Sequence, residues 1–294
     1  MKSDVYNKES TTLRALLNSH DLNIMPCCYD GLSAKLIQDA GFNLTFMSGF
    51  AVSAARLGLP DTGLISYGEM VDQVKNICSA VKIPVIADGD TGYGNAVNVK
   101  RTVYGYIQAG AAGIMIEDQK SPKRCGHTSG KEVIERKDAV IRLKAAIEAQ
   151  KEAREDGKDI IIMARTDARA TLGLNEAIER AKVFNDLGAD ILFVEAPYSE
   201  EEMHTICVNA PGCHMANMVE HGRTPLLPPS RLAELGYKIA AYPLTLLSAS
   251  IYAMKMALTK LKKDEPNDNI MDFKELQSII GFPEYDETLK RLEE

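Results

Sequence analysis

Four stretches of the chain repeat one plan: AGFNLTFM, AGAAGIMI, LGADILFV and LGYKIAAY each pass from a small or apolar residue and a glycine into an apolar, often β-branched run. A glycine behind a helix can take the left-handed conformation that ends it, so each stretch reads as a helix stop that turns the chain into a strand. Eight segments read as strands: NIMPCCYD, LTFMSGF, VIADGDTG, GIMIEDQ, IIIMARTDA, ILFVEAP, HMANMVE and KIAAYPL. The spacing predicts amphipathic helices between them, among them 31–40, 69–81, 99–109, 136–152, 175–187 and 230–235. Continuously apolar strands alternating with helices imply a parallel sheet covered on its outer face, and eight such units imply closure into an α/β (β/α)8 TIM barrel. The competing architecture is an open doubly wound sheet. Its usual marks are missing, since no G-x-G-x-x-G follows the first strand and no G-x-x-x-x-G-K-[ST] occurs.

The 294 residues fit one such domain. A helical run at 248–261, the break KKDEPNDN and the piece MDFKELQSII are more helix than eight units require. We read 248–294 as a C-terminal helical extension of a single domain spanning 1–294, with an apolar face that packs on the barrel or on a neighbouring subunit. The net charge of −7 opposes nucleic-acid and anionic-membrane partners, but leaves room for a small anion, which needs only a local cluster of Arg and Lys. No apolar run approaches the roughly 18 residues of a membrane-spanning helix. The opening MKSDVYNKESTTLRALLNSH shows neither a secretory nor a transit pattern, so the expected compartment is the cytoplasm. Six cysteines scattered without CxxC pairs read as reduced thiols.

Barrel enzymes work at the carboxyl ends of their strands, where this sequence is highly charged. The ends carry Asp88 and Asp90, Glu117 and Asp118, Arg165 and Asp167, Glu195, and Asn217 and Glu220; Asp61 lies in the loop after the second strand. Strand residues two apart share a face, so Asp88 and Asp90 can converge, and two carboxylates in one place need a cation. Oxygen-only ligands favour Mg²⁺ or Mn²⁺ over zinc, and Glu117 could join them. The bland alternative is a strand-end DxD that caps a turn. In SPKRCGH, the Cys125 thiol stands beside Lys123, Arg124 and His127, which predicts a depressed pKa and acid/base or nucleophilic chemistry, with Gly126 leaving room for a substrate. Otherwise Cys125 is a small buried hydrophobe. Arg165 suits a bidentate grip on a carboxylate, or a structural ion pair with Glu195 or Asp167. Glu195 and Asn217 could bind substrate or hold that arginine.

Taken in order, SGFAVSAARLGLPD, DGDTGYGNAVNV, GAAGIMIEDQ, PKRCGH, MARTDA, VEAP, ANMVE and YPL resemble the isocitrate lyase and phosphoenolpyruvate mutase superfamily, from about residue 25 to about residue 244. The resemblance implies a (β/α)8 barrel whose terminal helix is exchanged between subunits, giving a homotetramer of dimers. It implies Mg²⁺ held by Asp88, with Asp61, Asp90 and Glu117 acting mainly through metal-bound waters. Ser48 and Gly49 would bind the 2-oxo-acid portion of the substrate, and Phe50 would narrow the pocket. Arg165 would grip a carboxylate, with Pro243, Leu244 and Thr245 contributing from the YPL end. The KRCGH loop would gate the site, with Cys125 as the acid/base and Lys123, Arg124 and His127 stabilising developing charge. The implied reaction is carbon–carbon cleavage of a small carboxylate, a 2-hydroxy di- or tricarboxylate of the 2-methylisocitrate or 2,3-dimethylmalate type. Oxaloacetate hydrolysis, a carboxyphosphonoenolpyruvate phosphonomutase and a non-catalytic barrel are the alternatives.

Overall fold

A computed structural model describes residues 8–128 and 130–294. Eight parallel strands close into a barrel in sequence order: β1 (Asn23–Cys28), β2 (Thr45–Met47), β3 (Val85–Asp88), β4 (Gly113–Glu117), β5 (Ile161–Thr166), β6 (Ile191–Val194), β7 (His214–Asn217) and β8 (Tyr237–Tyr242). The ring is sealed where Asn23 to Pro26 of β1 align with Ile239 to Tyr242 of β8. Seven strands lie within segments anticipated from sequence, and β8 begins one residue ahead of its segment, at Tyr237.

The helices of the barrel unit are α1 (Lys8–Asn18), α2 (Gly31–Asp39), α3 (Gly49–Val52), α4 (Tyr67–Ala80), α5 (Ala96–Ala109), α6 (Arg136–Glu155), α7 (Ala168–Leu172), α8 (Leu174–Leu187), α9 (Glu200–Asn209) and α10 (Pro229–Leu235). A single π-helical turn, Ser53–Leu57, continues α3. The four hinge glycines, Gly41, Gly110, Gly188 and Gly236, all have φ between 85° and 103°. These are the left-handed helix stops that the repeated sequence plan requires.

Strand alternation sorts the core into two layers. Met25, Cys27, Phe46, Ile86, Met115, Met163, Phe193, Met215 and Ala241 point into the barrel and form one cluster. Their neighbours Cys28, Met47, Ala87, Ile114, Ile162 and Val194 point outward, against Val74 and Ile77 of α4, Val103 and Tyr106 of α5 and Phe184 of α8. Burying each such side chain contributes about 1.5–3 kcal/mol.

The compact barrel unit ends at Leu246, and a second unit runs Leu247–Glu294. The remaining helices are α11 (Thr245–Lys262), α12 (Phe273–Ile280) and α13 (Phe282–Glu293). Neither α12 nor α13 buries any residue, and Phe273, Leu276, Phe282 and Leu292 are exposed.

Candidate active site at the carboxyl end of the barrel

The parity that directs Ile86 inward also directs Asp88 inward, two residues on; likewise Met115 carries Glu117, Met163 carries Arg165, Phe193 carries Glu195 and Met215 carries Asn217. These polar strand ends rise above an apolar floor. A cavity is lined by Ser48, Phe50, Asp61, Asp88, Lys123, Arg124, Cys125, Gly126, His127, Arg165, Glu195, Asn217, Pro243 and Leu244. Cys27, Phe46, Met115, Phe193, Met215, Val219 and Ala241 complete its wall. Those seven were not anticipated, because an apolar strand residue facing a pocket carries the same signature as one facing the core.

Four expected site residues do not line the cavity. Gly49 lies behind it; a Cβ there would stand 2.5 Å from Asp88 Oδ2, so the missing side chain makes room for that carboxylate. Asp90 and Glu117 are buried beside the cavity. Thr245 donates its hydroxyl to Glu220 and forms no part of the lining. Asp90 also departs from strand alternation: β3 ends at Asp88, and Asp90 has φ of 48°. Its side chain meets its neighbours through Lys123.

Lys123 Nζ sits 2.6 Å from Asp61 Oδ1 and 2.7 Å from Asp90 Oδ1, with all three side chains buried. Here the ammonium pairs with two carboxylates while still lining the cavity. Burial opposes its charge, but Asp90, Asp88 and Asp61 outweigh that and hold its pKa well up. Asp88 accepts the Asp90 backbone N–H at 2.9 Å. Burial, with Asp90 close by, pushes the Asp88 carboxyl up to about 6. Asp61 Oδ1, Asp90 Oδ1 and both oxygens of Glu117 are buried without an aligned hydrogen bond.

Carboxylates left in this condition suit a hard divalent cation that keeps part of its water shell. Among the described residues, no three of the His, Cys, Asp and Glu side chains form a ready-made ligand cage. Asp61 and Asp88 stand at the cavity wall, with Asp90 and Glu117 buried beside it, and such an ion would be held there with part of its water shell.

Arg165 is buried at the cavity wall and ringed by acids: Asp167 accepts from its Nε at 2.8 Å, Glu195 lies 3.2 Å from Nη2 and Glu117 3.4 Å from Nη1. The structural ion pairs weighed as an alternative for this arginine are thus all present. Burial would raise Glu195, but Arg165 and His127 hold its carboxyl well below the usual range.

The loop after β4 folds down over these groups. Gln119 holds Arg124 by two hydrogen bonds, one to its carbonyl at 2.8 Å and one from its N–H at 2.9 Å. His127 Nδ1 accepts the Arg223 N–H at 3.1 Å, which places its proton on Nε2, 3.2 Å from Glu195 Oε1. A Cβ on Gly126 would come within 2.4 Å of Glu195 Oε2 and 2.5 Å of Arg165 Nη2, so only glycine lets the backbone this close. Burial pushes the Cys125 thiol up, against the lowering effect of the His127 N–H and of Arg165. This reverses the depressed pKa expected from neighbouring cations: Lys123 is spent on Asp61 and Asp90, and Arg124 is exposed. All six cysteines are unpaired. Cys28 packs in the outer core layer, whereas Cys27 reaches the cavity floor.

Comparison with known proteins decides the lineage of this arrangement. The sequence model of the phosphoenolpyruvate phosphomutase family matches residues 13–262. The chain belongs to the phosphoenolpyruvate mutase/isocitrate lyase superfamily. It is 44% identical to a 2,3-dimethylmalate lyase of Eubacterium barkeri, over 92% of this chain and 93% of that protein. A solved oxaloacetate acetylhydrolase with the inhibitor 3,3-difluorooxalacetate superimposes with a TM-score of 0.90 at 34% identity, covering 95% of each chain. A phosphonopyruvate hydrolase solved with oxalate and Mg²⁺ gives a TM-score of 0.82 at 28% identity, covering 97% of this chain and 98% of that one. The protein is an enzyme of this superfamily, consistent with its carbon–carbon lyases.

Proposed function

We propose that the protein is a Mg²⁺-dependent lyase that splits a 2-hydroxy di- or tricarboxylate, of the 2,3-dimethylmalate or 2-methylisocitrate type, into a 2-oxo acid and a second carboxylate. One observation carries the reading: the buried carboxylates of Asp61 and Asp88, suited to a divalent cation, and the Cys125 thiol line the same cavity. Asp88 would hold the ion, with Asp61, Asp90 and Glu117. When bound it supplies Lewis acidity toward the substrate's 2-hydroxyl and adjacent carboxylate.

The chain's own groups do the rest. As the carbon–carbon bond breaks, its electron pair stays on the departing fragment, and the hydroxyl-bearing carbon becomes the carbonyl of the 2-oxo acid. Cys125 gives its thiol proton to the carbon that leaves as a carbanion-like fragment. The hydroxyl proton is released to solvent, from which the Cys125 thiolate regains a proton once the products leave. Arg124 and Arg165 meet the negative charge on that fragment, Arg165 being oriented by Asp167. The loop, tied down through His127, keeps water from the intermediate.

The apolar wall of Phe46, Phe50, Met115, Phe193, Met215 and Leu244 suits alkyl substituents better than a third carboxylate, which ranks a methylated malate first. The similarity to the Eubacterium barkeri 2,3-dimethylmalate lyase supports the same order. Hydrolysis of oxaloacetate to oxalate and acetate is the second reading, supported by the likeness to oxaloacetate acetylhydrolase. A phosphonomutase is the third, supported by the family's own description.

A product screen by mass spectrometry, with Mg²⁺ and a panel of 2-hydroxy and 2-oxo diacids, decides among them. Pyruvate plus propionate or pyruvate plus succinate selects the lyase, and oxalate plus acetate the hydrolase. Phosphorus NMR with carboxyphosphonoenolpyruvate tests the mutase, and an absence of all these products defeats the reading.

The proposal includes a cytoplasmic homotetramer of helix-exchanged dimers, without nucleic-acid or membrane partners. No helix among the described residues is long and apolar enough to cross a membrane. The bare apolar side chains of α12 and α13 are what such an exchange would cover. A monomer by light scattering would overturn the assembly.

A further inference from the structure

Lys131 lies outside every motif that marked the site, in the segment GKEV, where a lysine reads as a solvated charge. Its side chain is nevertheless buried, with 2% of its surface exposed. Its ammonium donates to the carbonyl oxygen of Gly126, the residue after the site thiol. It also donates to Asp167 Oδ1 at 2.8 Å. That same carboxylate orients Arg165, accepting from Nε at 2.8 Å and from Nη2 at 3.0 Å. Asp167 is itself fixed, because its backbone N–H donates to Asp118 Oδ1 at 2.9 Å, and Asp118 pairs with Arg180 at 3.0 Å. One ammonium thus ties the loop backbone to the anchor of the site guanidinium. A lysine serving only to neutralise Asp167 would have no need to reach the loop, and one serving only to brace the loop would have no need of a carboxylate shared with Arg165.

We propose that Lys131 is a positioning residue: by bridging the Gly126 carbonyl to Asp167, it latches the Cys125–Gly126 backbone over the cavity and couples loop closure to the orientation of Arg165. Lys131 does not line the cavity, so it acts without touching substrate. The kinetic part of this inference rests on the lyase reading, whereas the structural part does not. A latch matters most in the closed form that performs the chemistry and least in first capture of substrate. Its loss therefore appears in kcat before KM.

The test compares the wild-type enzyme with Lys131→Met, Lys131→Gln and Lys131→Arg. It reads steady-state kinetics on the acid that the product screen identifies, and hydrogen exchange of peptides covering residues 119–133. Lys131→Met is expected to lower kcat about 30- to 100-fold with KM within about threefold of wild type. Exchange across the loop accelerates by about tenfold or more, while peptides from β1 and β7 are unchanged. Lys131→Arg, which keeps the charge and the donors, restores kcat to within about fivefold of wild type. If Lys131→Met does not fold, Lys131→Gln carries the same measurements. Unaltered loop exchange, a loss confined to KM, or no recovery with arginine each overturns the latch. A wild-type enzyme inactive on every acid screened defeats the lyase reading instead, and the exchange measurement still decides the latch.

Discussion

The two ends of the barrel both bury charge, and they settle it differently. Beneath the amino ends of β5 and β6, Arg14 reaches Asp159 at 2.6 Å and Asp190 at 2.8 Å, and Arg154 reaches the other oxygen of Asp159 at 2.8 Å. The second oxygen of Asp190 takes Gln150 Nε2 at 2.6 Å and the Ile162 N–H at 2.8 Å. Every carboxylate oxygen in that network has a donor. At the carboxyl end, Asp61, Asp88, Asp90 and Glu117 outnumber Lys123 and the shared Arg165, and four of their oxygens lack an aligned hydrogen bond. The lower network is complete without a ligand, whereas the upper one is left short of positive charge. A completed network serves stability, whereas the upper one has the unmatched acceptors that the proposed cation would satisfy.

Three substitutions press on that contrast. Cys125→Ser is expected to lower turnover by about 10²–10⁴-fold, the usual worth of a general acid, while titration calorimetry still shows Mg²⁺ binding. Near-normal turnover in that variant would remove Cys125 from the chemistry. Asp159→Ala strands two arginines that are each about a third exposed. Solvent screens part of the loss, and chemical denaturation should show a cost of about 2–4 kcal/mol, with kcat of the folded fraction unchanged. A fall in kcat instead would mean that the two ends are not separable.

Asp88→Asn should do the opposite to stability. Burial and Asp90 raise the Asp88 carboxyl from 3.8 to about 6 in the fold, so its ionised form is the destabilising one. The penalty is present above pH 6 and disappears as the pH falls toward 4, because the folded state then holds the proton. Without metal, the variant should be more stable than wild type by about 1–3 kcal/mol at pH 8 and indistinguishable from it near pH 4. Added Mg²⁺ should raise the melting temperature of the wild type and not of the variant, and EDTA should return the wild type to its lower value. A variant less stable than wild type at pH 8 would show that Asp88 is already satisfied in the empty pocket.

Much of this was legible in the sequence because strands buried on both faces spell continuous apolar runs, and because the first polar residue in phase with them must enter the barrel mouth. Asp88, Glu117, Arg165, Glu195 and Asn217 are among the polar residues that end those runs, and strand phase separates them from Asp118 and Asp167. What escaped depends on distance in space. Cys125 has cations beside it in the chain, but Lys123 is turned toward Asp61 and Asp90, so burial governs the thiol. Thr245 follows YPL but starts α11 and bonds Glu220. Lys131 reads as a surface lysine and lies beneath the loop. The pocket-facing apolar residues could have been separated from the outer core layer by their alternation, which places Cys27, Phe46, Met115 and Met215 inside, though alternation does not say how high in the barrel each one sits.

Phe46, Met115, Phe193 and Met215 belong at once to the barrel's inner packing cluster and to the cavity wall. Any change that carves space for a bulkier acid also removes atoms from the central stack, so new selectivity and lower heat tolerance should arrive together. An engineer seeking a different substrate range would do better to start at Phe50 or Leu244, which border the cavity without belonging to that stack.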